Sequence, residues 1–152
     1  MIEIRLAQTK DAHELHELNN LYNGRGCTTV ETIEAYLSNN SHEIVCVAAD
    51  GDSLAGFCCG QVSASVCYSK PTGDIKELYV RPAYRRQGIG KQLLVFLESE
   101  LLKQECRDFN LVVENDNDNA QALYLACGYH SDDEVLFHKA AYHTNLLDLA
   151  LL

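Results

Sequence analysis

The chain of 152 residues has no CxxC pair, and its seven cysteines are an odd number that no closed disulfide framework would use. Several sit in apolar runs such as Gly56-Phe57-Cys58-Cys59-Gly60, which reads as buried free thiols in a reducing compartment. No apolar run approaches the roughly 20 residues of a membrane helix. The opening Met1-Ile2-Glu3-Ile4-Arg5-Leu6 lacks the apolar centre of a secretory signal. A cytoplasmic protein with no membrane partner is expected. Basic residues are also scarce, with 12 Lys and Arg against 22 Asp and Glu and a net charge of −10. That balance argues against nucleic acid, whose phosphates need a dominating basic surface. His13-Glu14-Leu15-His16 misses the zinc-protease spacing, because the second histidine comes one residue early, and no metal is expected.

What is present fits one domain over residues 1–152, 47% hydrophobic and 22% charged. Ile2, Ile4 and Leu6 alternate with polar neighbours as in a half-buried strand. Thr9 is expected to cap a helix through about Tyr22, and Thr28 or Thr29 a second one carrying Val30, Ile33 and Leu37. Strands are expected over 44–48, 54–68, 75–80, 109–113 and 135–137, and helices over 89–104 and 120–127. The order β-α-α-β-β-β-α-β-α-β implies a mixed sheet with helices on both faces. The apolar tail, residues 140–152, is expected either to pack as a terminal element or to meet a second subunit in a homodimer.

The most informative segment is Val80-Arg81-Pro82-Ala83-Tyr84-Arg85-Arg86-Gln87-Gly88-Ile89-Gly90-Lys91, where a strand ends and two glycines open a helix. Free N–H groups at a helix start bind anions. Lys76, Arg81, Arg85, Arg86 and Lys91 gather here, leaving seven basic residues against 21 acidic ones elsewhere. A specific anionic ligand is therefore expected. It is not held by a Walker loop, because Gln92 follows Lys91. A dinucleotide fingerprint would need a third glycine where Leu93 stands, although Glu114 suits it.

Arg85-Arg86-Gln87-Gly88-Ile89-Gly90 resembles the Arg/Gln-x-x-Gly-x-Gly/Ala signature of the GNAT superfamily of N-acetyltransferases. Farther on, Asn117-Asp118-Asn119-Ala120-Gln121-Ala122-Leu123-Tyr124 and Gly128-Tyr129 resemble a second block of that family, with Tyr129 in place of the commoner Phe. The resemblance spans nearly the whole chain. It implies an α/β (α+β) fold with a mostly antiparallel central sheet of about six to seven strands. It also implies acetyl-coenzyme A as co-substrate, with the pyrophosphate on the loop at Arg86, Gln87, Gly88, Gly90 and Lys91 and added charge from Arg85. Backbone groups of Leu78, Tyr79 and Val80 would hold the pantetheine arm, and Asn117 would touch the coenzyme from the second block. Gly88 and Gly90 are both expected to admit no side chain.

Acetyl transfer to an amine poses two proton problems. An alkylamine with pKa near 10.4 is about 99.9% protonated at pH 7, and the departing thiolate gains from a donor. The resemblance makes Tyr124 the general acid; from its neighbours alone it reads as a core tyrosine on an amphipathic helix. Asp74 and Glu77 are the base candidates, on the strand leading into the loop. In a regular strand they point to opposite faces, so at most one faces the acceptor unless a bulge intervenes. The expected acceptor is a small cationic amine of polyamine or aminoglycoside type. The alternatives are a protein or peptide N-acetyltransferase and a non-catalytic acyl-coenzyme A-binding domain.

Overall fold

Five strands lie in chain order across one sheet: β1 (Ile2–Leu6), β2 (Glu43–Asp50), β3 (Ser53–Ser63), β4 (Thr72–Val80) and β5 (Asp108–Leu111). The first three pairings are antiparallel and β4–β5 is parallel. Helices α1 (Ala12–Asn23) and α2 (Val30–Asn39) separate β1 from β2, α3 (Ile89–Lys103) joins β4 to β5, and α4 (Asp118–Ala126) follows. This computed structural model describes residues 1–39 and 42–140.

β2 and β3 are covered on both faces, which explains why their sequences lack a polar alternation. On one face Cys46, Ala48 and Cys58 pack with Ile89, Leu93, Leu94, Leu97 and Leu101 of α3. On the other, Val47, Phe57 and Cys59 pack with Leu15 and Leu18 of α1. Leu93, Leu94, Leu97 and Leu101 are fully buried, each worth about 1.5–3 kcal/mol of transfer free energy. Burial pushes the Cys46 thiol up to about 12 and those of Cys58 and Cys59 well above the usual range, so these thiols are inert. Cys27 and Cys67 are exposed, contrary to a uniformly buried set.

Three expectations are corrected. The helix entry is not capped by Thr9: a single 3-10 turn, Thr9–Asp11, precedes α1. Buried Asp11 takes both Arg5 guanidinium nitrogens at 2.7 and 2.8 Å and the Gln8 backbone N–H at 2.7 Å. Burial pushes the Asp11 carboxyl up, but the Arg5 bonds outweigh it and hold the group below its ordinary value. β3 stops at Ser63 rather than Tyr68, because Ser65 turns the chain: its hydroxyl accepts from Cys67 N–H at 3.1 Å and its carbonyl from Tyr68 N–H at 3.3 Å. The sheet has five strands among the described residues, not six or seven. Val135, Leu136 and Phe137, expected as the last strand, are 75%, 72% and 92% exposed and unpaired. A short apolar run becomes a strand only when a neighbour completes its hydrogen bonds. The tail beyond residue 140 lies outside the described residues.

Candidate active site

The parallel register between β4 and β5 runs from Thr72 opposite Asp108 to Ile75 opposite Leu111 and then ends. β4 continues to Val80. Residues 76–80 therefore have no strand on that edge among the described residues, and a gap opens through the sheet. Leu78 and Val80 turn their side chains into the α3 core, while Tyr79 packs with the α1 side. The main chain of this stretch can therefore pair with an extended ligand arm.

Beyond β4 the chain makes a 3-10 turn over Pro82–Tyr84 and enters α3 at Gly88. Gly88 has φ +78° and Arg86 φ +60°, so two of three consecutive residues are left-handed. At Gly88 glycine is required by that conformation, since a Cβ would meet nothing closer than Gln92 Nε2 at 3.8 Å. Gly90 differs. A Cβ there would approach Leu123 Cδ2 at 3.3 Å, the flexible end of a side chain, so a small shift could admit it. Only Gly88 thus meets the expectation for both. A non-glycine residue held at positive φ is the kind of strain found at ligand-binding turns. The first turn of α3 holds no acidic residue, and Lys91 is exposed there, so its free N–H groups face an anion without repulsion.

The arginines divide by role. Arg81 donates from Nε to the Leu54 carbonyl at 2.8 Å and reaches Glu14 and Glu17 of α1 at 3.3 and 3.4 Å, so its charge is already partnered. Arg85 donates from Nε to the Val80 carbonyl at 2.9 Å and lies 5.6 Å over the Tyr79 ring, clamping the loop onto its strand. Arg86, Gln87 and Lys91 are exposed. Asn117 caps α4, its side-chain oxygen accepting from Ala120 N–H at 3.1 Å.

A bulge reorders the carboxylates. Cys59 pairs with Glu77 but Gly60 pairs with Ile75, so Lys76 is the extra residue. Ile75 and Leu78 both belong to the α3 core, although a regular strand would put them on opposite faces. Asp74 and Glu77, their inner neighbours, therefore share the α1 face. The strand is thus the bulged case, in which the two carboxylates are no longer kept apart by alternation. Asp74 sits opposite Asn110, where β4 and β5 are still paired, and Glu77 stands beside the gap. Burial pushes the Glu77 carboxyl up, the nearby Tyr22 hydroxyl opposes the rise, and Glu43 adds to it.

Two tyrosines near α4 contrast. The Tyr129 hydroxyl donates to Glu98 Oε1 at 2.6 Å and is committed. Tyr124 stacks edge-on against it at 5.8 Å, yet its own hydroxyl has no hydrogen-bond partner among the described residues. Burial first, then the nearby Cys58, Tyr22 and Glu77, push that hydroxyl up to about 12. Tyr124 comes from the α3 side of the sheet and Glu77 from the α1 side, close enough to feel each other through the gap. Tyr22, Glu43 and Glu114 lie near Glu77 or Tyr22; the sequence marks Glu114 only as suiting a dinucleotide fingerprint and Tyr22 only as the end of a helix. They come from distant segments, so no local spacing marks them.

A left-handed turn at the start of a helix and a parallel strand pair that ends short of it agree with the sequence comparison. The Acetyltransferase (GNAT) family model matches residues 10–129. The chain belongs to that family. Aminoglycoside N(6')-acetyltransferase type 1 of Salmonella typhimurium is 25% identical over 73 residues, 48% of this chain and 50% of that protein. Thialysine N-epsilon-acetyltransferase of Mus musculus is 32% identical over 85 residues, 54% of this chain and 50% of its own. The chain thus matches about half the length of these relatives. Among solved structures, aminoglycoside N-acetyltransferase AAC(6')-Iy in complex with CoA superposes with TM-score 0.80 at 19% identity, covering 93% of this chain and 95% of that one. At that identity the likeness establishes the fold. Among the described residues no cluster of three or more His, Cys, Asp or Glu could hold a metal, and no helix is long and apolar enough to cross a membrane.

Proposed function

We propose that this protein is an acetyl-coenzyme A-dependent N-acetyltransferase acting on a primary amine of a small cationic molecule by direct transfer in a ternary complex. The observation that carries the reading is the left-handed, acid-free start of α3 directly beyond the part of β4 that β5 leaves unpaired. Acetyl-coenzyme A supplies an activated acetyl thioester. The amides at Arg86, Gln87, Gly88 and Gly90, with Lys91, would hold its pyrophosphate, the open edge at Leu78, Tyr79 and Val80 its pantetheine arm, and Arg85 and Asn117 would brace the two sides. The left-handed Arg86–Gly88 turn and the acid-free start of α3 fit such an anion.

Glu77 accepts the proton that an ammonium must lose before its nitrogen can attack. Its raised affinity for protons moves it toward that task, while its charge attracts the cation. Asp74, farther down the strand, is the second candidate. Tyr124 stays neutral at pH 7, and its O–H has no hydrogen-bond partner among the described residues. With its hydroxyl near 12 and a thiol near 8.5, complete proton transfer is uphill, so its contribution is a hydrogen bond to the departing sulfur. The carboxylates Glu43, Glu77 and Glu114 support a cationic acceptor, as do the curated relatives that act on aminoglycosides and thialysine.

The test is thiol release from acetyl-coenzyme A with aminoglycosides, polyamines, lysine analogues and peptide N-termini. Turnover with small cationic amines is the expected result. Turnover confined to peptides would replace the acceptor class, and coenzyme binding with no turnover on any amine would reduce the protein to a binding domain.

A further inference from the structure

α4 ends in a tight reversal that carries Tyr129 back over the helix. Gly128 takes φ +92°, its N–H donates to the Leu125 carbonyl at 3.1 Å, and the Tyr129 N–H donates to the Tyr124 carbonyl at 3.0 Å. In this left-handed helix ending, the residue after the glycine packs against the third helical residue from the end. Here those residues are Tyr129 and Tyr124, and their rings meet edge-on at 5.8 Å with 63° between their planes. The contact asks only for a ring, which Phe at position 129 would supply. The Tyr129 hydroxyl adds a separate bond, donating to Glu98 Oε1 on α3 at 2.6 Å. Tyr129 is thus tied to α4 through its backbone and to α3 through its hydroxyl, and both it and Glu98 are half-buried.

We infer that Tyr129, anchored by Glu98, is a positioning residue for Tyr124, holding its ring in the orientation from which the hydroxyl donates to the departing sulfur. The inference rests on the donor role of Tyr124 in the proposed function. The Tyr124 hydroxyl has no hydrogen-bond partner among the described residues, so ring contacts alone set where it points. The aliphatic side chains of the α3 cluster fill space beside the ring without selecting one tilt, whereas an edge-on aromatic pair has a preferred geometry. Tyr129 can impose that geometry because the Glu98 bond blocks its swing about Cα–Cβ, the motion that would release the Tyr124 ring. A donor must lie within about 3 Å of the atom on which charge develops, so a small tilt lowers the rate without weakening coenzyme binding.

The experiment compares kcat and the KM for acetyl-coenzyme A in wild type, Tyr129→Phe, Tyr124→Phe and the double variant, with the fastest acceptor of the amine panel. Thermal melts establish that the variants are folded. Tyr129→Phe should lower kcat roughly three- to tenfold with KM unchanged. In the Tyr124→Phe background the same change should cost nothing further, because no hydroxyl is left to aim. Glu98→Gln, which keeps an acceptor oxygen, should retain more activity than Glu98→Leu. Independently of turnover, NMR of the ring-labelled free protein should show faster flipping of the Tyr124 ring in Tyr129→Phe, with the Tyr124→Phe spectrum identifying its signals. Wild-type kcat in Tyr129→Phe, the same loss in both backgrounds, a rise in KM in place of the fall in kcat, equal activity in the two Glu98 variants, or unchanged Tyr124 ring motion overturns the inference while an impaired Tyr124→Phe leaves the donor role standing. Normal turnover in Tyr124→Phe overturns the donor role and the inference with it.

Discussion

The two faces of the sheet are built to different standards. On the α3 face, α3 sends five residues into the core, four of them leucines with no exposed surface. On the other face α2 has no buried residue at all, and Ile33 and Leu37 only lean against the α1 cluster. The loop proposed to hold the coenzyme grows directly out of the well-packed side, since Gly88 is both the left-handed turn and the N-cap of α3. The opposite face carries α1 and α2 with half-exposed Tyr22 and Tyr36, where the proposed function would place the acceptor. A rigid platform suits a donor whose phosphates must meet fixed amides. A lightly seated helix pair tolerates sequence change at low cost, which suits a surface that selects among amines.

The largest effect that should separate the two faces is on stability. Leu97→Ala should cost about 2–5 kcal/mol, because a fully buried leucine leaves a cavity under the sheet. Leu37→Ala on α2, half-buried, should cost about 1 kcal/mol or less. Urea unfolding of both variants checks the contrast, and equal losses would erase it.

Next in size is catalysis at the gap. Tyr124→Phe keeps the packing against Tyr129 and deletes only the free hydroxyl. A fall in kcat of roughly 10²-fold is expected, typical of one lost donor to a developing anion, with coenzyme affinity unchanged. Normal turnover would return Tyr124 to the core. A smaller effect should come from the loop. Gly88→Val must force a β-branched residue into the left-handed region and should weaken coenzyme A about tenfold, near 1.4 kcal/mol, by calorimetry. Gly90→Ala, which meets only the tip of Leu123, should weaken it less. Equal losses would show that close backbone approach, and not the turn, governs the loop.

The smallest effect tests the acceptor side. The residues outside 76–91 include 21 acidic and seven basic ones, so a cationic amine should be drawn in by the field. Its kcat/KM should fall a few-fold between about 20 and about 300 mM salt, while that of a neutral amine of equal size stays level. A preference for the neutral amine would remove the steering argument.

Local chemistry alone determined much of this protein. The leucine spacing that defines α3, the glycine pair at its start and the small-residue strands are read from neighbours along the chain, because helix periodicity is a local property. The two motifs that mark the family are local for the same reason. The sheet count was overstated because Val135-Leu136-Phe137 has the composition of a strand but no pairing, and pairing is never local. The placement of Asp74 and Glu77 on one face depended on a bulge at Lys76, which arises from the register between two strands. Tyr22, Glu77 and Tyr124 come from segments about a hundred residues apart in sequence, and burial, first, raises the proton affinity of each. Sequence thus determined which side chains could do the chemistry. Only the tertiary structure decided which of them meet, because strand register and the splay of β4 from β5 set where their side chains point.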